Sequence, residues 1–213
     1  MESTQDKVLI TGVSGYLGSY VCYTFLKDGR FKVRGTVRDT KNETKVAPLK
    51  EAFGDEFGKL ELVEADLMNS ASIEQAVSGC KYVAHTASPV PSKGLPKDEN
   101  VLIRPAVEGT LAVLRAAHKH RVKRVVITSS LSAVLMKNPQ NIKDRYDESD
   151  WSDLEACSAY DKSKTMAERA AWEFLSSLPE DERFELVSIN PVFILGPSLV
   201  PADSSTQAIK YLM

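Results

Sequence analysis

Cysteine is scarce in this sequence: Cys22, Cys80 and Cys157 are far apart and odd in number. With no CxxC pair and no Cys/His cluster, neither a zinc site nor a disulfide framework is indicated, and buried free thiols are expected. Histidine is equally rare. His118 and His120 stand two apart, which on a helix turns them to different faces and denies them a shared metal. No apolar run approaches the length of a bilayer span. The N-terminus, MESTQDKVLI, is acidic before a short apolar run, unlike the basic start and long apolar stretch of a secretion signal. Neither sign of charge dominates: 27 Lys and Arg stand against 29 Asp and Glu, a net charge of −2. That balance leaves no electrostatic footprint for nucleic acid or an anionic membrane. A cytoplasmic enzyme or binding domain with a small-molecule partner is the expectation.

The 213 residues are 43% hydrophobic and 26% charged, which fits a globular domain with a core of its own. At roughly 150 residues per domain, the length holds one domain and part of another. Short apolar runs alternate with helical patterns throughout. Strands are expected at residues 8–11, 33–37, 60–63, 82–85, 125–128 and 186–189. Helices are expected near 16–27, 46–53, 72–77, 100–120 and 158–177. In the fourth of these, Val107, Leu111, Leu114 and Ala117 share one face. Alternation of this kind calls for right-handed crossovers and a parallel sheet covered on both faces: an α/β, doubly wound, Rossmann-like domain. The stretch 137–156 is long for a loop in such a fold, and loops of that length usually carry function or cover a site. The chain ends soon after Gly196-Pro197, abruptly for a domain of this class.

Between the first strand and first helix runs Gly12-Val13-Ser14-Gly15-Tyr16-Leu17-Gly18. Glycines there make a tight turn, admit a pyrophosphate close to the backbone and let helix and strand pack closely. The helix N-terminus favours the anion. The spacing is G-x-x-G-x-x-G, and a plain glycine-rich turn is the bland alternative; the strand–turn–helix context favours the dinucleotide reading. The second strand ends Thr36-Val37-Arg38-Asp39. Arg38, aided by Lys45, suits the 2′-phosphate of NADP, whereas Asp39 suits the ribose hydroxyl of NAD. NADP(H) is the favoured cofactor.

Tyr160 and Lys164 stand four apart in an expected helix, one turn apart on one face. An ammonium beside a phenol lowers its pKa and makes it a usable acid or base. Thr128-Ser129-Ser130 closes the fifth strand at its C-terminal edge, where open α/β sheets bind ligands. A serine there can hold a substrate carbonyl; strand-end capping is the bland alternative. No metal is called for.

The stretches VLITGVSGYLGSYV, GTVRD, EADL, HTASP, VKRVVITSS, YDESDW, AYDKSKTMAE and INPVFILGP span nearly the whole chain. In them the sequence resembles the extended short-chain dehydrogenase/reductases, and within these the dihydroflavonol 4-reductase and cinnamoyl-CoA reductase-like group. The resemblance implies an NADP(H)-dependent oxidoreductase that interconverts a carbonyl and an alcohol, with a catalytic Ser130, Tyr160 and Lys164 and with Ser129 as the lesser candidate for the serine. It implies cofactor contacts at Gly12, Ser14, Gly15, Tyr16, Leu17 and Gly18, and a 2′-phosphate site at Arg38 and Lys45. Asp66 and Leu67 would lie at the adenine, Thr86, Ala87 and Ser88 along the cofactor, and Pro191 and Ile194 at the carboxamide. A plain strand-to-helix turn at Asp66-Leu67 and a strand terminator at Pro191 are the bland readings, and His85 reads as structural.

Two departures stand out. Flavonoid-type reductases commonly carry a polar residue five positions after the catalytic serine, where this chain has Leu135; a simpler aldehyde or ketone is as plausible a substrate. Members of the group also have a C-terminal part that closes over the substrate. Residues 1–197 therefore read as the NADP-binding domain with the triad, and 198–213 as the start of a substrate segment mostly absent. An exposed apolar patch is expected around Val192, Ile194, Leu199 and Leu212. A non-catalytic NADP-binding module, and an epimerase with tightly held NAD, are the competing readings.

Overall fold

A computed structural model describes residues 5–89 and 97–201. Strand β1 (Lys7–Thr11) leads to α1 (Tyr16–Asp28), β2 (Lys32–Val37) to α2 (Glu43–Phe53), and β3 (Leu60–Glu64) to α3 (Ser70–Val77). Strand β4 (Tyr82–His85) precedes α4 (Asn100–Lys119), β5 (Arg124–Thr128) precedes α5 (Ala159–Ser177), and β6 (Glu185–Ile189) follows. All strand pairs are parallel, in the order β3-β2-β1-β4-β5-β6. That is the doubly wound arrangement expected, with its topological switch between β1 and β4, where such sheets open a crevice for ligands.

The two faces of the sheet follow from side-chain alternation along the strands. On β1, Val8 and Ile10 join Val33, Val37, Cys22, Leu26, Leu49 and Phe53 beneath α1 and α2. Leu9, between them, faces the opposite cluster with Val83, Val125, Ile73, Val113, Leu114 and Ala171 beneath α3, α4 and α5. Helices cover both faces over the central strands, so β1, β4 and β5 read as continuous apolar runs.

Several expectations need correction. Helix α2 begins at Glu43 and α3 at Ser70, each a little ahead of the apolar periodicity, because polar first turns carry no hydrophobic signal. In α4 the buried face runs through Leu102, Ala106, Gly109, Thr110, Val113 and Ala117, while Val107 and Leu111 are only half-buried. The face is rotated because small residues admit close neighbours: a methyl on Gly109 would stand 2.8 Å from Leu67 Cβ.

The long loop is pinned rather than open. Ser152 Oγ donates to Ser132 O (2.7 Å) and accepts from Met136 N (2.9 Å). Asp153 Oδ2 accepts from Asn138 N (2.8 Å), and Lys143 Nζ pairs with Asp150 (2.6 Å). The loop thus braces the turn that follows Ser130. Cys22, Cys80 and Cys157 are free; the first two are buried and the third is half-buried. Among the described residues, no helix is long and apolar enough to cross a membrane.

Candidate active site

The glycine loop forms the floor of the crevice. Gly12 has φ +73°, a conformation that side-chain-bearing residues rarely adopt, and a methyl on it would press against Ala87 at 3.0 Å. A methyl on Gly18 would collide with Gly12 O, so helix α1 approaches the loop only because this position is bare. Gly15 is the N-cap of α1 and supplies no side-chain cap, and the first turn carries no acidic residue. An uncapped helix start with its positive dipole end free of carboxylates fits a dinucleotide pyrophosphate. Ser14, Tyr16 and Leu17 lie in the same turn, half-buried, and Tyr16 Oη donates to Gly196 O (3.2 Å).

Opposite the loop, Thr11 Oγ1 accepts from Thr86 N (3.1 Å) and Ala87 N (3.0 Å), while Thr86 Oγ1 donates to Thr11 O (2.5 Å). These bonds hold Thr86, Ala87 and Ser88 alongside the crevice. Arg38 is exposed at the C-terminal end of β2. Asp39, its competitor for the cofactor ribose, accepts Lys41 N (2.8 Å) in a local turn. Lys45 follows in the first turn of α2. Asp66 Oδ1 accepts Met68 N (2.7 Å), so its carboxylate serves the strand-to-helix turn, and Leu67 packs on the α4 side of the core.

Ser130, Tyr160 and Lys164 come together at the C-terminal edge of β5. Ser130 Oγ accepts Ser132 N (3.1 Å), and its hydroxyl stands near enough to the Tyr160 phenol to draw that group's pKa down. Ser129 instead is buried, its Oγ without a hydrogen-bond partner among the described residues, which separates the two candidate serines. Burial pushes the Tyr160 phenol above its ordinary pKa, partly offset by the Ser130 hydroxyl. Lys164 Nζ lies 5.9 Å from the Tyr160 ring centroid and donates to Thr128 O (3.4 Å). Burial lowers its pKa to about 8. The expected lowering of the phenol by the ammonium is therefore not what this geometry gives: desolvation dominates both groups. Pro191 O accepts Leu131 N (3.0 Å), which sets Pro191 beside the serine turn, and Ile194, three residues on, is half-buried. Leu135 is half-buried in the turn after Ser130.

Two residues in this cluster carry no signal in the sequence reading. Glu168, one turn beyond Lys164, is buried, and Asn190 follows β6; their carboxylate and amide meet at 2.7 Å. The i,i+4 spacing from Lys164 to Glu168 is the one sequence feature that could have marked the first.

Residues 8–213 match the NAD dependent epimerase/dehydratase family. The chain is 44% identical over 211 residues to tetraketide alpha-pyrone reductase 1 of Arabidopsis thaliana, covering 97% of this chain and 63% of that protein. It is 38% identical to cinnamoyl-CoA reductase 1 of the same plant, covering 96% and 58%. Among solved structures it is similar to a yeast methylglyoxal/isovaleraldehyde reductase complexed with NADPH, with a TM-score of 0.80, 30% identity and coverage of 97% and 65%. The chain thus spans less than two thirds of the length of each. With a family match over nearly the whole sequence and the doubly wound sheet beneath it, this chain belongs to the NAD dependent epimerase/dehydratase family of extended short-chain dehydrogenase/reductases.

Proposed function

We propose that residues 1–197 form the NADP(H)-binding and catalytic part of a reductase that interconverts a carbonyl and an alcohol, with 198–213 beginning its substrate segment. The observation that carries this reading is the meeting of Ser130, Tyr160 and Lys164 beside an uncapped helix start at the sheet's C-terminal edge. When bound, NADPH supplies the hydride that the carbonyl carbon receives. The chain's own groups do the rest. Amides of Tyr16 and Leu17 would hold the pyrophosphate, while that of Gly15 closes the loop on Gly12 O (3.0 Å), and Arg38 with Lys45 would meet the 2′-phosphate. The backbone at Asp66 and Leu67 borders the adenine. Thr86, Ala87 and Ser88 flank the cofactor, and Pro191 and Ile194 border its carboxamide.

In reduction, Ser130 donates to the substrate oxygen and Tyr160 gives that oxygen its proton. A phenol held above its usual pKa is protonated at neutral pH, the state this role requires. Lys164 holds a ribose hydroxyl and feeds protons back to the phenol. Small aldehydes and ketones are the substrate class that suits Leu135. A tightly held NAD is disfavoured because the Arg38 cation stands exposed at the end of β2.

The cofactor assignment is tested by titrating NADPH and NADH against Arg38→Ala. A charge-assisted bond to phosphate contributes roughly 1.5–3 kcal/mol, so NADPH affinity should fall about ten- to hundredfold while NADH affinity stays within about twofold. Equal losses for both cofactors would contradict it.

A further inference from the structure

We propose that Glu168 is a positioning residue of this site, its carboxylate balancing the Lys164 ammonium from one turn away and, through the Asn190 amide, fixing the backbone of Ser130. The kinetic part of this proposal rests on the reductase reading; its first test does not.

Glu168 is only 7% exposed, and a carboxylate so placed is costly unless donors and a counter-charge meet it. The donors are Asn190 Nδ2 on Oε2 (2.7 Å) and Trp172 Nε1 on Oε1 (3.4 Å). Asn190 Nδ2 also donates to Ser130 O (3.1 Å), while its Oδ1 accepts Ser188 Oγ (3.0 Å). A carboxylate and a backbone carbonyl only accept, so the amide nitrogen must face both, and one orientation of Asn190 satisfies every partner. Backbone bonds from Ser129 N to Ile189 O (2.9 Å) and from Leu131 N to Pro191 O (3.0 Å) flank this bridge. The amide therefore ties Glu168 to the residue whose hydroxyl stands near Tyr160.

The nearby positive charge is Lys164, one turn away on α5 and acting across the cavity rather than as a direct ion pair. It shares a cavity of about 20 Å³ with Glu168, His85 and Ser129. The groups facing Lys164 are Tyr160 and Glu168 from α5, His85 from β4, Thr128 from β5 with Ser129 just beyond it, and Ala106 and Thr110 from α4. Burial holds His85 neutral at pH 7. Among the described residues lining that cavity, Glu168 is the single acid. Burial drives the Lys164 pKa down and Glu168 draws it back toward the usual lysine value, which keeps the ammonium charged where the chemistry needs it.

The test is an NMR titration of the chain labelled at lysine Cε, with Lys164 assigned by the loss of its signal in Lys164→Arg. In Glu168→Gln, which keeps the shape and loses the charge, the Lys164 midpoint should fall by about one unit or more. An unmoved midpoint would overturn the proposal, whatever the turnover. With NADPH and a small aldehyde, the alkaline fall of kcat should move to lower pH in Glu168→Gln, because activity is lost as pH rises through the Lys164 pKa. Asn190→Ala should lower kcat about tenfold while leaving the Lys164 midpoint in place; an unchanged kcat would overturn the Ser130 link. Should Glu168→Gln fail to fold, Lys164→Gln/Glu168→Gln should restore folding, since no buried charge then needs balancing, and its failure would count against the pairing. A shifted midpoint with full turnover by Tyr160→Phe would sustain the role of Glu168 and sink the reductase reading.

Discussion

His85 shows how a single side chain can be structural and still govern pH behaviour. Thr11 Oγ1 already accepts two backbone N–H groups, so its own hydrogen goes to His85 Nδ1 at 2.8 Å, and the ring hydrogen sits on Nε2. Burial lowers the ring's pKa to about 4, and the nearby Lys164 charge pushes the same way. The unfolded chain binds a proton near pH 6.5 and the native state does not until about pH 4. The stability tied to this ring is therefore fully present above pH 6.5 and lost as pH falls toward 4. Urea unfolding of the wild type should lose about 2–3 kcal/mol across that interval through His85 alone. His85→Asn, which keeps an acceptor for Thr11, should be that much less sensitive to acid; an equal pH slope in both proteins would refute the assignment. The sequence places His85 at a strand end but gives no sign of the Thr11 hydroxyl, which reaches it across 74 residues. Arg38 and Asp39 are adjacent letters with rival readings, both exposed at the end of β2, and the Arg38→Ala titration separates them.

The elements themselves were largely legible because their signals are local. A buried parallel strand is a short apolar run, and the six runs coincide with six strands to within a residue. Helix α5 also begins where its polar pattern says. Ser158 Oγ accepts Asp161 N (3.3 Å) and Ser158 N donates to Asp161 Oδ2 (3.0 Å), a reciprocal capping box. This cap holds the first turn, and Tyr160 stands in it. Ser158→Ala should cost about 1 kcal/mol of stability in chemical denaturation and reduce turnover more than that loss of folded protein explains. A variant as stable and as active as the wild type would show that the cap is idle. The loop from 137 to 156 was legible as a loop but not as a brace, since its pins join residues 14 to 20 apart. The Glu168–Asn190–Ser130 bridge was illegible for the same reason: it spans 22 and 60 residues and obeys no periodicity. The rotated face of α4 was misread because glycine and alanine, the residues that let Leu67 and the sheet approach, weigh little in a hydrophobic pattern.

At the scale of the molecule, the sheet of the described residues ends on β6, which carries exposed apolar side chains. Strand β6 pairs with β5 on one side, and Val187, Ile189, Val192, Phe193 and Leu195 are 42–77% exposed. This patch is displaced from the one expected: Val192 belongs to it, but Ile194 and Leu199 are half-buried, Leu199 packs on the core, and Leu212 lies outside the described residues. Exposed apolar patches of this kind promote association. Light scattering should therefore report self-association that Phe193→Ser reduces, and a monomer at all concentrations would count against it. The larger claim concerns what the crevice does. Its most direct measurement is the consumption of NADPH, followed at the nicotinamide absorbance with small aldehydes, by the wild type and by Tyr160→Phe, beside NADPH binding to each. Turnover by the wild type should be measurable and should fall about 10²- to 10⁴-fold in the variant, with NADPH affinity nearly unchanged because the ring still packs. Full turnover by Tyr160→Phe would contradict the reductase reading.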